Sequence, residues 1–117
     1  MDLKVRKYLE DIRLSIEEIE SFLQQRPRQY KVFVEDHMFR NAIERQLGII
    51  GEAVSQILKI DSGINITYAH KIRSTRNYII HSYDTLDLPT LWSIVINHLP
   101  LLKVEINSLL ENQEEDN

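Results

Sequence analysis

From Leu3 to Leu23 the apolar residues Leu3, Tyr8, Leu9, Ile12, Ile16, Ile19, Phe22 and Leu23 fall mostly three or four positions apart. That spacing puts them on one stripe of a helix, so a first helix is expected from Leu3 to Gln24, with Asp2 as its N-cap. Arg26-Pro27-Arg28 ends it, because proline cannot continue a helix interior. The helical period returns through Phe39, Ile43, Leu47, Ile50, Val54 and Ile57, which predicts a long second helix from Glu35 to Lys59. The intervening QYKVFV fits either a short helix or an extended approach.

Asp61-Ser62-Gly63 reads as a turn, with Gly63 able to take a positive φ. A third helix is expected from Tyr68 to Tyr83 or Asp84, with Ile72 and Ile79 or Ile80 facing inward. Thr85 to Pro89 is the next loop, and Pro89 suits a first helical turn. The last pattern, Leu91, Trp92, Val95, Ile96, Leu99, Leu102, Ile106, Leu109 and Leu110, contains Pro100, which predicts a kink or break and two helical pieces. Four main helices with short loops imply an all-α, up-and-down four-helix bundle over residues 1–110, followed by a flexible acidic tail over 111–117.

At 117 residues the chain has the length of one domain. A body this small offers little concavity unless two surfaces meet, so a homodimer is expected. The chain has no cysteine, which excludes disulfides, thiolate metal sites and a cysteine nucleophile. No segment approaches the roughly 20 apolar residues needed to span a bilayer, so a cytoplasmic, membrane-free protein is the expectation. Net charge is -4, but Glu111, Glu114, Glu115 and Asp116 of the tail account for all of it. No carboxylate occurs between Asp61 and Asp84, while His70, Lys71, Arg73, Arg76 and His81 do. A local positive patch therefore sits inside an acidic protein.

That patch contains RSTRNYIIHSY, Arg73 to Tyr83. On a helix, residues four apart differ by about 40°, so Arg73, Asn77 and His81 line one face, and Arg76 and Tyr83 a neighbouring one. Arg76 and His81 are about 140° apart and could flank one groove if the helix distorts near His81 or two copies meet along it. A histidine that titrates near neutrality can move a proton to or from a ribose hydroxyl, and a guanidinium can stabilise charge on phosphoryl oxygens, without a metal. Lys71 and Arg73 are the candidate RNA-binding cations. In the bland alternative the arginines solvate a helix face, His81 favours the helix C-terminus, and the tyrosines are half-buried packing.

The string R-N-Y-I-I-H-S-Y, Arg76 to Tyr83, resembles the R-x4-H-x-Y signature of the HEPN superfamily, specifically of HepT-type toxins. L-G-I-I-G-E-A, Leu47 to Ala53, resembles that family's second-helix motif, and Arg45 stands where a family arginine usually does. Tyr68 stands where many relatives carry tryptophan. The resemblance covers residues 3 to 110. It implies a dimeric helical bundle with both copies of the motif around a shared cleft, and a metal-independent ribonuclease, some relatives acting on transfer RNA. Carried over, Arg76 and His81 would be catalytic and Asn77 supporting. The resemblance also implies a toxin-antitoxin pairing of the HEPT/MNT kind, in which a minimal nucleotidyltransferase antitoxin adds AMP to Tyr83. The added phosphate and bulk would compete with RNA two residues from His81.

A binding module that holds a nucleotide or a partner without cutting is the alternative function. The avoidance of unpaired burial favours a Glu52 paired with Arg45 or facing solvent over one that orients Arg76. Gly48 and Gly51 cost a helix about 1 kcal/mol each, which close helix packing or ligand access would offset. His37, His70 and His98 form no ligand pair one turn apart, so no metal or other cofactor is expected. Trp92 is at core spacing and is expected to pack rather than to stack on a base.

Overall fold

The structure is a computed structural model that describes residues 1–81 and 87–115, with side chains except at 77–81 and 113–115. Among the described residues it is all-α. Helix α1 runs Leu3–Gln25, one residue beyond expectation. The Asp2 carboxylate accepts the Lys4 N–H at 2.7 Å and the Val5 N–H at 3.4 Å, the N-cap foreseen from sequence. The helix stops at Arg26, which is extended because the ring of Pro27 disfavours helical backbone before it.

QYKVFV resolves as a short helix, α2, Tyr30–Glu35, whose Phe33 is fully buried. Helix α3 spans His37–Ile60, starting two residues later than expected because Asp36 leaves the helical path to cap it. The Asp36 carboxylate accepts the Phe39 N–H at 3.1 Å and pairs with Arg26 Nε at 3.0 Å. Arg40 Nη1 closes the same corner by donating to the Val34 carbonyl at 2.5 Å.

The turn after α3 is present, but not through the freedom of glycine: no described glycine has positive φ. Instead the Gly63 N–H donates to the Asp61 carboxylate at 3.2 Å, an Asx turn that needs no left-handed residue. Helix α4 is Ala69–His81, and the expected end at Tyr83 or Asp84 lies outside the described residues. Ile72 is buried as expected, whereas the side chains of Ile79 and Ile80 lie outside the description. Pro89 stands in the first turn of α5, Leu88–Ser93, with Asp87 as N-cap to the Thr90 N–H and hydroxyl.

Pro100 divides the last helical run into two pieces, joined by a π turn. Five residues, Ile94–His98, are π-helical before α6, Leu99–Glu115, and the Leu99 N–H reaches the Ile94 carbonyl. The wider turn absorbs the missing proline N–H and its ring. Helix α6 carries the acidic end of the chain in helical form to Glu115. Trp92 packs half-buried on Phe33, ring centroids 5.1 Å apart, as its core spacing foretold. Tyr68 is 41% exposed and meets His98 edge-on at 4.4 Å.

The long helices pack α3 against α1 and α4, and α6 against α1, around a core rich in isoleucine. No helix among the described residues is long and apolar enough to cross a membrane.

The Asp36 corner makes a prediction about acid stability. The Phe39 N–H and then Arg26 hold the Asp36 carboxyl below its ordinary value of 3.8. Its contribution is therefore complete above that value and is lost as pH falls through the lower, folded-state one. Asn at this position keeps an oxygen for the cap but cannot pair with Arg26. Asp36→Asn should melt below wild type at pH 6, and the gap should narrow as the pH falls below the ordinary carboxyl value of 3.8, read by calorimetry across pH.

Candidate active site

The central contact between α3 and α4 is made at a glycine. A Cβ at Gly51 would lie 2.7 Å from Thr75 Oγ1, 3.0 Å from the Arg76 backbone nitrogen and 3.2 Å from the Ile72 carbonyl oxygen. Only a residue without a side chain lets α4 sit this close, so the packing role foreseen for Gly51 holds. Thr75 is fully buried in the seam; its hydroxyl donates to the Ile72 carbonyl at 2.7 Å and lies 3.3 Å from the Leu47 carbonyl of α3. The buried polar group is thus satisfied at the point of closest approach.

The residues next to those two meet outside the seam. Arg76 Nε lies 2.5 Å from Glu52 Oε2, each side chain about two-fifths exposed, while Glu52 Oε1 accepts from Gln56 Nε2 at 2.9 Å. This corrects the expectation for Glu52, which pairs neither with Arg45 nor with solvent alone. The spacing along α3 makes Arg45 a neighbour of Glu52, but the approach at Gly51 brings Arg76 closer. A half-exposed pair of this kind contributes about 0–1 kcal/mol, so its consequence is the aim of the guanidinium rather than stability.

The pair forms one wall of an open pocket of about 470 Å³. Helix α3 contributes Arg45, Gly48, Ile49, Glu52 and Ala53, helix α1 contributes Tyr8 and Asp11, and α4 contributes Arg76. Asp11 carries its own partner, Lys7, at 3.0 Å. Sequence spacing gave no sign of Tyr8 or Asp11, because a contact between α1 and α3 leaves no trace in the period of either helix.

Lys71 and Arg73 are exposed on α4 and do not line this pocket. His81 is the last described residue of α4, five positions beyond Arg76, and its side chain and that of Asn77 lie outside the described residues, as does Tyr83.

Comparison with known proteins identifies the family. The family model for HepT-like ribonucleases, "Ribonuclease HepT-like", matches residues 12–109, and the chain belongs to that family. A protein of Thermococcus cleftensis named "Probable ribonuclease HepT" is 34% identical over 106 residues, covering 89% of this chain and 94% of the relative. A candidate RNase of Caldanaerobacter subterraneus is 30% identical over 112 residues, 93% and 96% of the two chains. Another, from Methanocaldococcus jannaschii, is 28% identical over 115 residues, 95% of each. No solved structure matches the chain.

The close approach at Gly51 is testable by adding one methyl group. Gly51→Ala must displace Thr75 or the α4 backbone, and the overpacking should cost about 1–3 kcal/mol despite alanine's better helix propensity. Urea unfolding of the two proteins measures this, and an equally stable variant would show that α4 yields at no cost.

Proposed function

We propose that the pocket bounded by Glu52 and Arg76 is the catalytic groove of a metal-independent endoribonuclease. The observation that carries the reading is a solvent-reachable Arg76 held by Glu52 in a pocket with a second arginine, in a chain of the HepT-like ribonuclease family. In this reading the ribose 2'-hydroxyl attacks the adjacent phosphorus and gives up its proton. The bond to the 5'-oxygen breaks, that oxygen is protonated, and one product ends in a 2',3'-cyclic phosphate. His81 serves as general acid or base and Arg76 stabilises charge on the phosphoryl oxygens. Asn77 supports them, and Lys71 and Arg73 attract the RNA backbone from outside the pocket.

The same reading includes a homodimer, because a shallow pocket on one bundle gains depth when a second copy meets it. It also includes a role as the toxin of a toxin-antitoxin pair in the cytoplasm, with transfer RNA among the targets. A partner nucleotidyltransferase would silence it by adding AMP to Tyr83, since a phosphate and a nucleoside near His81 oppose an incoming RNA by charge and bulk.

Purified protein incubated with RNA in excess chelator should cleave it and leave 2',3'-cyclic phosphate ends. Arg76→Ala and His81→Ala should each lower the rate at least about 100-fold. Cleavage by wild type no greater than by His81→Ala, or cleavage that stops with chelator, would remove the corresponding part of the reading. Glu52→Gln, which loses the ion pair but keeps the shape, should lower kcat about tenfold with little change in melting temperature.

A further inference from the structure

Two carboxylates and two arginines line the pocket, but they do not pair one to one. Its two carboxylates each have a cation already, Asp11 with Lys7 and Glu52 with Arg76. Arg45 lines the same space, is exposed, and has no ion-pair or hydrogen-bond partner among the described residues. Among the described residues it is therefore the cation of the pocket that no carboxylate pairs with. A guanidinium offers a planar fork of donors that matches a phosphate, and an open concave site lets one reach it.

We propose that Arg45 is a phosphate-holding residue that takes a backbone phosphate of single-stranded RNA flanking the one addressed by Arg76. This rests on, and deepens, the reading of the pocket as a ribonuclease groove. Arg45 and Glu52 lie on one face of α3, seven residues and about 10 Å of helix rise apart. Glu52 anchors Arg76, so the two guanidinium groups hold to points two helical turns apart, and a strand crossing the pocket meets them in turn. Gly48, one turn on from Arg45, adds no side chain to obstruct that path. Ile49, 37% exposed beside it, offers apolar surface to a sugar or base.

The test uses the full chain and a short 2'-O-methyl oligoribonucleotide, which lacks the attacking hydroxyl and is bound without being cut. Anisotropy titrations over a salt series compare wild type, Arg45→Ala and Arg45→Lys. Arg45→Ala should weaken binding about tenfold and make the slope of log Kd against log salt shallower by about 0.7, the loss of one phosphate contact to a single strand. Arg45→Lys should keep most of the slope, because it keeps the charge. On a cleavable RNA, Arg45→Ala should raise KM with kcat within about twofold of wild type.

An unchanged slope in Arg45→Ala overturns the assignment, as does a wild type that does not bind the oligonucleotide. An Arg45→Ala protein with an unchanged slope but a shifted monomer–dimer equilibrium would place Arg45 in a seam between copies instead. Binding with the expected slopes by a wild type that cuts no RNA would leave Arg45 in place and remove the ribonuclease reading.

Discussion

Helix α4 rests on Gly51 at a distance no side chain would allow, and the geometry of the site follows from that contact. Thr75 Oγ1 and the Arg76 backbone nitrogen occupy the space that a Cβ would claim. Glu52 follows Gly51 in α3 and Arg76 follows Thr75 in α4, so the contact that seats the two helices also fixes which carboxylate meets which guanidinium. Sliding one helix by a turn would replace the pair, not merely stretch it. The helical cost of glycine, about 1 kcal/mol, is small beside the buried contacts that the approach brings together.

Stability and direction are supplied by different residues here. The core is aliphatic and close to fully buried, with Leu9, Ile12, Ile43, Ile50, Val54, Ile57, Leu102 and Ile106 each at 0% exposure. Each such side chain contributes about 1.5–3 kcal/mol of transfer free energy. The Arg76–Glu52 pair contributes far less because water competes for both partners. What it supplies is a restricted orientation for a long, flexible cation, with Gln56 holding the far oxygen of the carboxylate. That division leaves the site free to vary without endangering the bundle.

Periodicity alone carried the helices, their caps at Asp2 and the stop at Pro27, because these depend on residues near in sequence. It placed Ile72 and Trp92 in the core for the same reason, and Trp92 lies partly buried against that core. It failed where a tertiary contact chose between local options: Asp36 leaves α3 to cap it while pairing with Arg26, ten residues back. Gly63 carries a turn by hydrogen bonding rather than by a positive φ. At the site, the resemblance to the R-x4-H-x-Y motif singled out Arg76, and the sequence offered Glu52 as one of its possible partners, but charge avoidance favoured Arg45 for that carboxylate. The deciding fact, the closeness of α4 at Gly51, is a distance between helices and has no signature in the period of either.

One contact cannot orient a helix, and a second, at the other end of α4, comes from α6. The Glu105 carboxylate accepts the Thr67 N–H at 3.0 Å and its hydroxyl at 2.9 Å, just before α4 begins. Tyr68 lies edge-on to His98, whose Nδ1 is 3.3 Å from the Ser93 carbonyl across the π turn. An α-helical path through Ile94–His98 would rotate His98 and everything after it relative to Trp92 and the core, so the turn demanded by Pro100 also sets where Glu105 points. Helix α4 is thereby pinned at its start by α6 and at its middle by α3. Two pins fix both its position and its tilt, and Arg76, one residue past the second pin, inherits both.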